Sequence, residues 1–201
     1  MSGAETHKDY EGGKLGMWLF LFTEILLFGG LFILYSAYRA RYPLEFHEAG
    51  RHLDIVIGVA NTLVLLTSSL TVALSITAIQ TGNRKKAILC LGATVALGAV
   101  FLLDKYVEWS GEIRRGLYPN SSVLGRHPKG DQIFYGLYYS MTGLHGLHVF
   151  AGMTLLAVML VFTVRGKISQ ADFGKLENSG LYWHLVDVIW IFLLPLFYLA
   201  A

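Results

Sequence analysis

Five apolar stretches, each close to or above the thickness of a bilayer, alternate with short polar segments along this chain. A helix needs roughly 20 apolar residues to cross the hydrocarbon core. The pattern therefore predicts five transmembrane helices, over residues 15–38, 53–80, 87–109, 132–164 and 179–199. The first opens after Gly12-Gly13-Lys14 and closes at Arg39-Ala40-Arg41-Tyr42-Pro43. The second has no charge after Asp54 and stops at Thr81-Gly82-Asn83-Arg84-Lys85-Lys86, a glycine followed by three consecutive cations. The third leaves the apolar phase at Asp104, but Tyr106, Val107, Trp109 and Ile113 keep an apolar stripe among charges, which predicts a helix continuing into the interface. Residues 116–130, rich in proline, glycine, serine and asparagine, read as the longest loop. At 1.5 Å per residue the fourth helix is on the order of 50 Å long, so it tilts or protrudes. Pro195 falls near the end of the fifth, where a lost hydrogen bond disturbs the helix least.

Composition agrees: 54% hydrophobic, 15% charged and a mean hydropathy of +0.52 lie far outside the soluble range. The expectation is an all-α integral membrane bundle forming one membrane domain, with no separate soluble part. A net charge of +2 is too small to suggest nucleic acid, and the cations sit mostly in loops. The single cysteine, Cys90, lies in an apolar run and reads as a small buried hydrophobe. Arg84, Lys85 and Lys86 in a tight connection without an acid place that loop in the cytoplasm, and with it the N-terminus, leaving the C-terminus outside. No cleavable signal peptide is expected, because the opening residues carry both charge signs and the first apolar run is too long for a signal-peptide core.

Ionisable groups inside the spans are the informative exceptions, since a charge at the bilayer centre costs roughly 2.5–3.5 kcal/mol on insertion scales. Glu24 lies roughly 14 Å into the first helix. It reads either as a proton-relay carboxylate or as a protonated or hydrogen-bonded acid fastening that helix to a neighbour. His145 and His148 are three apart on one face of the fourth helix, with Gly143, Gly146 and Gly152 allowing close backbone approach. Two ligands so spaced cannot clamp one haem, which needs them on opposite ring faces. His184 and His148 sit at different heights by the predicted boundaries, so packed, hydrogen-bonded histidines are the stronger reading. His184 and Asp187 are again three apart, close enough to meet or to share a donor. With Glu24, His145 and His148 they offer nitrogen and oxygen ligands for a metal, yet the Glu-x-x-His pairs of helical di-metal bundles are missing. Polar pairs binding helices together fit better. The second helix, with Asn61, Thr62, Thr67, Ser68, Ser69, Thr71 and Ser75, suits close packing. Trp18, Trp183 and Trp190 read as lipid-facing or interfacial aromatics, and Tyr106, Glu108 and Trp109 as headgroup contacts. Nucleophilic catalysis has no foothold, as neither a Gly-x-Ser-x-Gly elbow nor a Walker-type loop is present.

At these residues the chain resembles subunit III of the haem-copper oxidases, including cytochrome c oxidase, in its short five-helix bacterial form. The resemblance runs through Lys14-Leu15-Gly16-Met17-Trp18-Leu19-Phe20-Leu21-Phe22-Thr23-Glu24 with Phe28-Gly29-Gly30, and through Asn61-Thr62 with Leu65-Leu66-Thr67-Ser68. It continues in His145-Gly146-Leu147-His148-Val149 with Gly152, and in Tyr182-Trp183-His184 with Val186-Asp187-Val188 and Trp190. It implies an accessory role with no cofactor in this chain, the haems and copper being held by partner subunits I and II. Subunits I and II, subunit IV where present, and phospholipids are the implied partners, in the bacterial inner membrane. Such subunits stabilise subunit I, support proton uptake and hold lipid in a cleft. Glu24 then looks like the family's buried carboxylate, and His148, His184 and Asp187 like its intramembrane polar positions. Longer members have two further N-terminal helices forming one wall of the cleft, so here the cleft is open or another subunit closes it. The electron donor, cytochrome c or quinol, stays unresolved, and related proteins accompany nitric oxide reductases. Two other classes stand against this reading: a stand-alone b-type cytochrome, and a small carboxylate-based transporter, the latter weakened by the lack of paired broken helices.

Overall fold

The computed structural model describes residues 10–199, so the reading of the first polar residues lies outside the described part. Six helices follow in order: α1 (Tyr10–Arg41), α2 (Pro43–Arg51), α3 (Ile55–Gln80), α4 (Arg84–Arg114), α5 (Lys129–Val164) and α6 (Gly174–Leu194). A short 3₁₀ turn (Leu124–Arg126) lies between α4 and α5, and a π-helical turn (Pro195–Leu199) follows α6. Five helices are long and apolar enough to span a bilayer. The expected spans match them with ends displaced by a few residues, and α4 does continue beyond Trp109 to Arg114. The start of α1, the end of α4 and the start of α6 are each displaced by five residues, α6 beginning at Gly174 and not near Ser179.

Helix α2 is not among the expected elements, in which Pro43 closes the first span. Proline at the first helical position is a start signal, since its missing N–H has no intrahelical partner to lose. Elsewhere the boundaries follow local chemistry. The Asp54 carboxylate accepts from the amides of Val56 and Ile57 at 2.9 and 3.3 Å, and Asn83 Oδ1 from Lys86 N at 3.1 Å. At the far ends Gly82 and Gly166 take positive φ angles of 79° and 72°. The amides of Asn83 and Lys167 then reach back to Ala78 O and Phe162 O at 2.8 and 2.9 Å, closing both helices in the same left-handed way. Arg84 adds a tertiary cap: its Nε donates to Thr163 O at 2.8 Å and a terminal nitrogen donates to Val164 O, placing a guanidinium on the negative end of α5.

Helices α3, α4, α5 and α6 form a closed ring in which each packs on the next and α6 returns to α3. Trp183 sits inside this ring, fully buried, with its indole N–H donating to Ser68 Oγ at 3.0 Å. Its ring fills the space that side chains at Gly98 of α4 and Gly152 of α5 would occupy; a Cβ there would lie 2.9 and 2.8 Å from it. Outside the ring, α1 leans on α5 and α6 and is fastened at three levels. Lys14 pairs with Glu177 at 3.2 Å, Glu24 meets His148 at 2.9 Å, and the Tyr35 hydroxyl donates to Leu196 O. The short α2 docks by Phe46, whose ring lies edge-on to Tyr35 and Phe134 at 5.3 and 5.4 Å. Much of α1 faces outward, Leu15, Trp18, Leu19, Phe22, Leu26 and Ile33 all being exposed. Cys90 is only half-buried, which corrects its reading as a core residue.

The Trp183 seat gives a direct test. Gly152→Val forces the indole to move, and overpacking of this kind costs about 1–3 kcal/mol. Thermal unfolding in detergent is expected to shift down accordingly, whereas Gly146→Ala, which meets nothing within 4 Å, leaves the transition in place.

Candidate functional site: polar groups inside an apolar bundle

The intramembrane polar residues fall into three groups. The first joins α1 to α5. His148 Nδ1 lies 2.8 Å from Leu144 O, one turn back on its own helix, and its Nε2 lies 2.9 Å from Glu24 Oε2. A carbonyl can only accept, so Nδ1 carries a hydrogen, and the contact between Nε2 and the carboxyl then holds a single proton. On the imidazole it gives an ion pair, on the carboxyl a neutral one; in both cases the pair has no net charge. Both side chains are about 15% exposed, at 15% for His148 and 14% for Glu24, with Phe28 edge-on to the imidazole at 5.3 Å. The Tyr182 hydroxyl donates to His148 O at 3.3 Å, which puts this part of α6 level with His148. The mismatch in height expected between His148 and His184 is narrowed, because the early start of α6 moves His184 ten residues into its helix, while His148 lies sixteen residues before the end of α5.

The second group joins α6 to α3. His184 Nδ1 and Ser69 Oγ are 2.5 Å apart, and Trp190 Nε1 donates to Thr62 Oγ1 at 3.0 Å. Asp187 is buried at 3% exposure beside Ser69, but neither carboxyl oxygen makes a hydrogen bond. His184 and Asp187 therefore do not pair with each other, although their spacing allowed it. His145 turns away from His148 into the core, fully buried, stacked on Trp190 at 5.3 Å and edge-on to Phe101 at 5.7 Å. Its two nitrogens make no hydrogen bond, and the same holds for the side chain of Asn61. The sequence pairs therefore do not assemble into one cluster. Among the described residues, no three His, Cys, Asp or Glu side chains converge as a metal ion requires.

The third group is one the sequence reading did not find. Lys105 and Glu108, one turn apart on α4, form an ion pair of 3.1 Å with side chains only 10% and 4% exposed. Glu108 Oε1 also accepts from the hydroxyls of Tyr138 on α5 and Tyr198 in the C-terminal turn. Lys105 Nζ donates to Tyr198 Oη at 2.7 Å and lies over the rings of Tyr138, Trp190 and Tyr198 at 5.1–5.4 Å. Glu108 is therefore no headgroup contact: its helix turns it inward, while Tyr106, two residues earlier, is 72% exposed. Trp109 is corrected in part, since its ring packs 5.0 Å from Tyr139 and against Gly143. Trp183 and Trp190 are corrected outright: both are fully buried and meet no lipid, while Trp18 is 59% exposed. The one available signal was the three-residue spacing of Lys105 and Glu108, which places opposite charges on one face.

Breaking a buried pair from one side leaves an uncompensated charge, at a cost of about 3–5 kcal/mol. Lys105→Met is accordingly expected to lower thermal stability in detergent strongly, and adding Glu108→Gln to recover part of the loss. At the first group, Glu24→Ala leaves the imidazole Nε2 without its partner, a penalty of about 1–3 kcal/mol. Glu24→Gln, which keeps an amide donor for Nε2, is expected to lose less in the same measurement.

The sequence profile of the family described as Cytochrome c oxidase subunit III matches residues 1–201. Cytochrome c oxidase subunit 3 of Thermostichus vulcanus is 32% identical over 199 residues, covering 98% of this chain and 91% of the relative. Cytochrome bo(3) ubiquinol oxidase subunit 3 of Pseudomonas aeruginosa is 30% identical over 203 residues, covering 97% and 89%. Cytochrome c oxidase subunit 3 of Dugong dugon is 32% identical over 200 residues, covering 95% and 70%. With a whole-chain family match and relatives at this level across its length, this multi-pass membrane chain belongs to the cytochrome c oxidase subunit III family.

Proposed function

We propose that this chain is the accessory subunit of a haem-copper terminal oxidase, packed against subunit I in a bacterial inner membrane, with the redox centres carried by its partners. The observation that carries the reading is the family match over all 201 residues, together with relatives named as oxidase subunits. The geometry supports it: Glu24, His148, His184, Trp183 and Trp190 each direct a polar atom at a neighbouring helix, which is what a rigid packing partner needs. The cation-rich turn at Arg84, Lys85 and Lys86 favours a cytoplasmic N-terminus and an outward C-terminus. The outward apolar face of α1 gives lipid or a partner helix a broad surface. In this reading the chain stabilises subunit I, supports proton uptake and binds phospholipid, and its translocase role is that of the complex. Trp18 and Tyr106 are the outward aromatics that meet lipid or partner; Glu24, His145, His148, His184 and Asp187 are the buried polar contacts.

A second reading within the superfamily follows from the relative named for a ubiquinol oxidase, and concerns only the electron donor. Purification through a C-terminal tag in mild detergent tests the assignment. Haem-copper subunits I and II are expected in the eluate, and a binuclear copper motif in subunit II distinguishes cytochrome c from quinol as donor. A chain that elutes alone with a Soret band lost on His148→Ala, or that transports ions alone in liposomes with Glu24 essential, contradicts it.

A further inference from the structure

The polar seam between α4 and α5 is saturated with protein hydrogen bonds in one half and not in the other. Lys105, Glu108 and Glu112 follow one another at spacings of three and four along α4, so their side chains share its buried face. Tyr135, Tyr138 and Tyr139 repeat that spacing on α5, which packs on α4. Glu108 takes the Tyr138 hydroxyl directly, and with Lys105 and Tyr198 its carboxylate has a full set of donors. Glu112, one turn further along, does not. Its Oε1 accepts from Arg115 at 3.1 Å, while Oε2 is sealed from solvent and accepts from no protein group. The Tyr135 and Tyr139 hydroxyls are likewise sealed and make no hydrogen bond to protein. The same holds for the indole N–H of Trp109, whose ring lies 5.0 Å from that of Tyr139. Glu112 is within electrostatic reach of both tyrosines, and the two tyrosines are within reach of each other.

A carboxylate oxygen and several hydroxyl and N–H groups thus gather in one seam without touching, although each costs about 1–3 kcal/mol if it stays unpaired. Polar groups this close and not in direct contact are joined by a small bridging molecule. Charge and size decide which one. Arg115 already neutralises Glu112, so no net negative charge remains to hold a cation. A metal ion also lacks three converging ligands among the described residues. An anion has no proton to give Glu112 Oε2. The sealed position of these atoms requires a molecule small enough to be enclosed, able to donate to a carboxylate and to accept from a hydroxyl. Water does both, and a buried water takes roughly two to four polar partners, which Glu112 and the two tyrosines provide.

We propose that the seam binds a structural water that donates to Glu112 Oε2 and accepts from the Tyr135 and Tyr139 hydroxyls. Helix α4 is then joined to α5 at Glu112 through water, as it is joined at Glu108 through protein. Tyr135 and Arg115 also line the cavity of about 570 Å³ beside α2, so solvent stands on the far side of these two residues. The site belongs to this chain alone and does not rest on the oxidase reading.

Two measurements on the tagged protein, with whatever subunits accompany it, test the site. The first is a cryo-EM map at a resolution that shows ordered water. A peak is expected about 3 Å from Glu112 Oε2 and from both tyrosine hydroxyls. The second is thermal unfolding in detergent, in which the sign of a small substitution decides. Tyr135→Phe and Tyr139→Phe keep the packed rings and remove only the hydroxyls. If the hydroxyls bond to water, each variant is expected to unfold roughly 2–4 °C below the parent. In a Glu112→Met background, where the water has lost its acceptor, the same substitutions are expected to cost little or nothing. A transition that stays in place or rises with Tyr135→Phe and Tyr139→Phe in the parent overturns the proposal, because removing an unpaired hydroxyl relieves a buried polar group. A map in which the seam is dry, or in which a tyrosine hydroxyl bonds Glu112 directly, overturns it as well, and that result needs no variant to fold.

Discussion

A charged carboxylate within a membrane helix is costly unless protein neutralises and hydrogen-bonds it, because hydrocarbon offers it nothing. The Glu108 carboxyl meets that constraint by accepting from three side chains on three elements: Lys105 beside it on α4, Tyr138 on α5 and Tyr198 in the C-terminal turn. The rest of the architecture depends on this kind of contact. Apolar side chains pack well against lipid or against one another, so hydrophobicity alone does not choose which helices become neighbours in a bilayer. The choice is made by groups that cannot face lipid. Here Glu108 joins α4, α5 and the C-terminal turn, Ser68 and Ser69 join α3 to α6, and Glu24 joins α1 to α5.

These contacts divide the helices unequally. The ring of α3, α4, α5 and α6 has both polar links and the deep seat of Trp183 over two glycines, while α1 is fastened at three levels and has a largely outward apolar surface. A subunit with a rigid ring and one broad free face suits lateral association in the membrane plane. His148 and His184 make hydrogen bonds between helices, and His145 is a stacked member of the aromatic core.

Much of the fold was legible in the sequence, and the reason is physical. Spans are set by the thickness of hydrocarbon, which any run of apolar residues reports, so the five long helices were found with ends shifted by a few residues. The intramembrane polar residues were legible for the same reason: Glu24, His148, His184 and Asp187 interrupt long apolar runs. Their partners were not, because apolar helices carry no periodic stripe that says which face meets which neighbour. Ser69 for His184 and Ser68 for Trp183 follow only from the packing of α3 on α6. Lys105 and Glu108 were misread because charges after an apolar run look interfacial, whereas α5 and the C-terminal turn extend far enough to cover them. The helix α2 was missed because Pro43 signals a stop and a start alike.

The central claim is that the intramembrane polar groups hold helices together within an accessory oxidase subunit. A cryo-EM map of the oxidase purified from its own membrane tests this most directly. The account predicts this chain seated against a haem-copper subunit I, with continuous side-chain density joining Glu24 to His148 and Glu108 to Tyr138 and Tyr198. A haem or metal ion bound between His148 and His184, or a haem-copper complex assembled without this chain, would contradict it.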